Sequence, residues 1–227
     1  METKETLVFN KYELDVELSS EQILKDLRNH MYTDENGLGF TNLRLEDNVI
    51  EAVLIIRTPT SIRVYDPISE IFNTNIVYMY DEVEIFIDTL LHVIYTMAPV
   101  TKFNKAKTLL RSSIKTKITY RNLNFSTMKI LEIVELLNLN PCISDLTIKN
   151  FQYKEGAYGR YIVHVEDPSI GKELINTYKD SVSKVTIKLE ASQFSNFILS
   201  TSAQNTFTLK SQEADFWAIV NLLKVHI

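Results

Sequence analysis

The chain has 227 residues, 45% of them hydrophobic and 23% charged, with a net charge of −5 and one cysteine. That length allows one large core or two of about 110 residues each, and the apolar content excludes a disordered chain. A single cysteine, Cys142, excludes an intramolecular disulfide and any cysteine-based metal cluster, which fits a reducing, cytoplasmic setting.

In chain order, alternating Val8, Tyr12, Leu14 and Val16 predict a strand over residues 6–17. Ser19 or Ser20 caps a helix to about residue 31, with Ile23, Leu24, Leu27 and Met31 on one stripe. Residues 34–39 carry turn chemistry, and extended runs follow at 43–45, 49–57 and 62–65. Asp66-Pro67 sets a good cap before the residue favoured in a first helical turn, predicting a short helix to 72. Residues 75–80 read as a strand. Asp81, with Glu84 three positions on, has the form of a capping box and predicts a long apolar helix over 81–97. Glu84, Asp88 and His92 interrupt the apolar run 83–100, which falls short of the ~20 residues of a membrane span. Residues 1–6 lack the apolar core of a secretory signal, so no membrane partner is expected.

Pro99 opens a basic connector, 99–113, in which Phe103, Ala106, Leu109 and Leu110 form one face of a short helix. Residues 114–123 then alternate, with Lys115, Lys117, Thr119 and Arg121 on one side and Thr116, Ile118 and Tyr120 on the other, as a strand with a basic face. Beyond it, Ser126 caps a helix over 127–138, strands follow at 143–153 and 159–166, and Asp167-Pro168 caps a helix through 178. A strand at 185–190, an apolar segment at 194–199, a strand at 206–210 and a helix over 211–225 complete the chain. The expected fold is α+β: two halves of similar order, 1–98 and 114–227, joined by 99–113. Each half is a mostly antiparallel sheet with helices on one face. Three anchors recur at similar offsets and point to an internal duplication: Ser20 and Ser126, Asp66-Pro67 and Asp167-Pro168, and the strands near Ile76 and Val185.

The functional signal is a gap in the acidic residues. From Thr89 to Leu131, 43 residues, there is no Asp or Glu, while Lys102, Lys105, Lys107, Arg111, Lys115, Lys117, Arg121 and Lys129 supply eight cations. The rest of the chain holds all 29 acids against 16 bases, so charge is segregated along the sequence. Phe103, Tyr120 and Phe125 lie among the cations, as stacking platforms do in a nucleic-acid groove. No phosphate-loop, dinucleotide-binding, HExxH or GxSxG motif occurs, and no cofactor or metal is expected. The acids Asp81, Glu82, Glu84 and Asp88 read as complements to a helix dipole. Trp217, the single tryptophan, sits in an apolar terminal helix as a candidate partner anchor, with Leu223.

The expectation is a non-catalytic binding protein, a subunit of a larger assembly. It would contact nucleic acid or an acidic protein surface through residues 102–129. The alternatives are an enzyme with a divergent site at His164 and Glu166, or a structural assembly component. The Ile, Asn and Lys usage is that of an AT-rich bacterial or phage genome, where a phage or defence-system accessory would fit.

Overall fold

The computed structural model describes residues 1–123, 127–203 and 205–226. It is a mixed α+β protein built largely of antiparallel strands. The elements are β1 (Glu2–Leu14), α1 (Ser20–Arg28), β2 (Leu38–Glu46), β3 (Val49–Asp66), β4 (Ile71–Asp88), β5 (Val93–Thr96), α2 (Val100–Ser113) and β6 (Ile118–Asn122). They continue with α3 (Thr127–Leu136), β7 (Asn140–Lys154), β8 (Ala157–His164), α4 (Pro168–Thr177), β9 (Val182–Ala191), β10 (Phe194–Ala203), β11 (Thr206–Gln212) and α5 (Phe216–Lys224).

By packing the chain divides into two compact units, Lys11–Tyr120 and Met1–Asn10 with Arg121–Ile227. The sequence reading set its divisions at 98 and 113. Instead the first ten residues belong with the C-terminal part, and the expected connector is helix α2 of the Lys11–Tyr120 unit. The reason is pairing: residues 2–8 of β1 are hydrogen-bonded to β11 in continuous register from Glu2↔Gln212 to Val8↔Thr206.

In the Lys11–Tyr120 unit the strands run β2-β3-β4-β5. Ile50, Ala52, Leu54 and Ile56 of β3 are buried opposite Ile87, Ile85, Val83 and Asp81 of β4, and a period of two is the signature of a sheet with one covered face. The face is covered by α1 and α2: Ile23, Leu24 and Leu27 of α1 are buried, as are Phe103, Ala106 and Leu110 of α2. Helix α1 starts on a complete capping box, in which Ser19 accepts from the Gln22 N–H and the Gln22 side chain accepts from the Ser19 N–H.

The second unit orders residues 2–8 of β1, then β11-β10-β9-β7-β8. Helices α3 and α4 pack on β7 and α5 packs on β11. Its core contains Ile143, Leu146 and Ile148 of β7, Val185, Ile187 and Leu189 of β9, and Phe197, Leu199, Phe207 and Leu209 of β10 and β11. Gly171 of α4 lies against Ile143, where a Cβ would come within 2.9 Å of the isoleucine Cβ.

Two expected helices are strands or turns instead, both in the Lys11–Tyr120 unit. Residues 81–97 are not a helix: β4 continues to Asp88 and turns back through β5. Val83, Ile85 and Ile87 are buried while Glu82 and Glu84 are exposed, which is strand periodicity carried by β-branched residues. The carboxylate at position 88 ends the strand by accepting from the Leu90 and Leu91 N–H groups. Residues 66–72 are not a helix either. Asp66 accepts from the Ile68 N–H and the Ser69 hydroxyl in a tight turn, and Glu70 adopts φ +55°. Asp-Pro serves turn and N-cap alike, and the pairing of β3 with β4 from Val49↔Asp88 to Asp66↔Ile71 decides between them. Asp167, by contrast, does cap α4 by accepting from the Ser169 N–H. The two Asp-Pro anchors are therefore structurally unlike, and the Ser126 anchor lies outside the described residues. The strand expected over 114–123 is confined to β6, and the terminal helix begins at Phe216 because β11 runs to Gln212.

Candidate functional site

Helix α2 forms because Phe103, Ala106 and Leu110 recur at helical spacing and bury one stripe against the sheet, after Pro99 at the N-cap. The outer positions, Thr101, Asn104, Lys105, Thr108, Arg111 and Ser112, are exposed and none is acidic. Lysine, arginine, threonine, serine and asparagine are the side chains that most often contact phosphate oxygens.

At the flank of this face Lys107 lies over the rings of Phe103 and Tyr120, at 5.1 and 5.6 Å, and Arg111 lies over Tyr120 at 5.4 Å. The Tyr120 hydroxyl donates to the Lys107 carbonyl at 3.2 Å, and burial pushes its pKa up. Burial, and then the neighbouring Arg111 charge, hold Lys107 below the usual lysine range.

Three cations meet carboxylates of their own unit. Lys102 reaches Asp81 at 2.6 Å, Lys115 reaches Asp26 at 3.8 Å, and Lys117 reaches Asp15 at 3.9 Å. Lys117 and Asp15 are 74% and 60% exposed, the kind of pair worth about 0–1 kcal/mol in water. Asp26 is instead buried, with its side chain 7% exposed, and also accepts from the Lys115 N–H at 3.1 Å. Arg121 and Lys129 belong to the other unit, where the Arg121 carbonyl accepts from the Asn10 side chain at 3.2 Å. Lys102, Lys105, Lys107, Arg111, Lys115 and Lys117 share a unit.

The stacking expectation needs correction at Phe103, which is fully buried and offers no ring face to a ligand. Tyr120 is half-buried beneath Lys107 and Arg111, and Phe125 lies outside the described residues.

His164 hydrogen-bonds to Asp145 at 2.8 Å across the β7–β8 pair, so its neighbour is that carboxylate and not Glu166, which lies beyond the end of β8. The bond from His164 holds Asp145 below the usual carboxylate range. Ser144 donates to Asp145 at 2.8 Å rather than to the histidine. Of the four acids near position 84, Asp81 pairs with Lys102 and Asp88 closes a turn. Among the described residues no grouping of His, Cys, Asp and Glu is fit to hold a metal ion. No helix among them is long and apolar enough to cross a membrane.

Trp217 and Leu223 separate in the structure: Leu223 is buried, and Trp217 is 40% exposed with its ring edge-on to Phe216. Leu223→Ala is expected to cost about 2–5 kcal/mol, and Trp217→Ala distinctly less. Thermal melting of the two variants beside wild type checks this, and equal drops would contradict it.

Sequence reading missed the outer part of the β3–β4 hairpin. Strand β2 pairs with β3 only as far as Ile56, and β5 pairs with β4 only from Phe86 on. From Thr58↔Met79 outward the two strands pair with each other alone among the described residues. The available signal was two extended runs of matching length, 57–65 and 72–80, about a turn; the helix reading of 66–72 and 81–97 concealed it.

Fold and surface together define a mixed α+β protein of two packed units, with a basic, acid-free helix face and a projecting β-arm on one of them. The sequence matches no family model, and comparison with curated proteins finds no relative.

Proposed function

We propose that this chain is a non-catalytic binding protein, a subunit of a larger assembly, that contacts nucleic acid through the outer face of α2 and the segment leading into β6. The observation that carries this reading is the exposed row Thr101, Asn104, Lys105, Thr108, Arg111 and Ser112, cationic or hydrogen-bonding throughout and free of carboxylates. Lys115 and Lys117 extend it: both lysine side chains are exposed, and the long surface pair of Lys117 to Asp15 is weak enough for a phosphate to displace. Contact of this kind neutralises backbone phosphates and specifies no sequence.

Reversing two charges tests the proposal. Lys105→Glu with Arg111→Glu is expected to weaken retention on single-stranded DNA and RNA by tenfold or more while leaving the melting temperature unchanged, because both side chains are exposed. Wild type that fails to bind either polymer at low salt, but binds an acidic protein surface, would transfer the same face to a protein partner.

A further inference from the structure

Within the exposed row of α2, Arg111 is the residue seated on a ring. Its guanidinium lies over Tyr120 at 5.4 Å, one helical turn on from Lys107, which meets the same ring at 5.6 Å. Two cations at this spacing on a helix repel each other, and the electron-rich ring face offsets that repulsion for both. The ring is itself fixed: Tyr120 is half-buried, and its hydroxyl donates to the Lys107 carbonyl at 3.2 Å. Arg111 is thus supported from one side while its side chain remains exposed.

Arginine and lysine differ in such a place. A guanidinium is planar, delocalised and weakly hydrated, so its free face accepts a flat ring, whereas an ammonium is a strongly hydrated point charge. Unpaired bases stack on arginine planes as they do on aromatic rings. The neighbours of Arg111 also fit a base. Thr108 and Ser112, both exposed, give their hydroxyl protons to the Asn104 and Leu109 carbonyls at 2.9 and 2.8 Å. What they present outward is therefore a lone pair, which suits a base amino group better than a phosphate oxygen. In a duplex the base faces are stacked and the pairing edges engaged; in a single strand both are free.

We infer that Arg111, supported by Tyr120, stacks against a base of the bound strand, so that the α2 face selects single-stranded nucleic acid over duplex. On the nucleic-acid reading above, on which this rests, Lys105, Lys115 and Lys117 follow the phosphates of any strand, while Arg111 tells unpaired bases from paired ones. Tyr120 is a positioning residue for it.

Fluorescence anisotropy tests this with three labelled oligomers of one length: a mixed-sequence single strand, its duplex, and an abasic strand. Wild type is expected to bind the single strand about tenfold more tightly than the abasic strand, the effect of one stacked base, and more tightly than the duplex despite the duplex's denser charge. Arg111→Lys keeps the charge and loses the plane. Its preference is expected to fall to about twofold or less, with the slope of log Kobs against log salt unchanged. Tyr120→Leu, which removes the ring beneath Arg111, is expected to do the same, and melting of both variants reports on their folding. A wild type that binds all three oligomers alike, or an Arg111→Lys variant that keeps the preference, would overturn the inference and leave the phosphate contact standing. Binding to none of the three at low salt would overturn the nucleic-acid reading itself, and this inference with it.

Discussion

Gly39→Ala is expected to destabilise the protein by about 3 kcal/mol or more, near the top of what overpacking causes. A Cβ at this position would overlap the backbone N and Cα of Tyr32 and lie 2.7 Å from the carbonyl carbon of Met31. Those atoms cannot retreat without breaking bonds. Phe40 N–H donates to the His30 carbonyl and Tyr32 N–H donates to the Phe40 carbonyl, each at 2.9 Å, while Gly39 is in register with Ile55 of β3. The segment after α1 is thereby stitched to β2 along a line that only a residue without a side chain permits. Urea unfolding of the variant measures the effect; a loss below about 1 kcal/mol would mean that the segment moves aside easily.

Phe103→Ala is expected to cost about 3–5 kcal/mol, the range for deleting a buried phenylalanine. Phe103 is wholly inaccessible and anchors α2 on the sheet with Ala106 and Leu110, and its ring also lies under the Lys107 ammonium. Were the ring a stacking platform for bases, its removal would leave stability intact and cut affinity alone. Here both fall together, because the face that carries Lys105 and Arg111 is held by this contact. Melting and binding measured on one preparation distinguish the two results.

The sequence was most legible where local chemistry has one reading. A serine cap at Ser19 or Ser20 before the Ile23, Leu24, Leu27 stripe, and the Phe103, Ala106, Leu110 stripe, specify a helix start and a helix face, and α1 and α2 form there. It misled where one local pattern serves two structures. Asp66-Pro67 suits a turn as well as a cap, and Asp81 to Glu84 mimics a capping box inside a strand. In both places the long-range pairing of β3 with β4 overrides the local preference, and that pairing leaves no mark within a short window. The run 83–97 is apolar enough to satisfy either period; the buried alternation of Val83, Ile85 and Ile87 carries the discriminating information. For the candidate site, the absence of acids was plain from the sequence, but its consequences in space were not. Asp26 and Asp15, far away along the chain, stand beside Lys115 and Lys117, and the unit boundary falling between Tyr120 and Arg121 assigns the last two cations to the other unit.

The central claim, that the α2 face contacts a phosphate backbone, is tested most directly by the salt dependence of single-strand binding. Fluorescence anisotropy of a labelled oligonucleotide, titrated at several salt concentrations, gives the slope of log Kobs against log salt. If Lys105, Arg111, Lys115 and Lys117 each neutralise one phosphate, the slope is about −3, and it shrinks by roughly half in the Lys105→Glu, Arg111→Glu variant. No binding at low salt, or binding whose slope the variant leaves unchanged, would contradict the account.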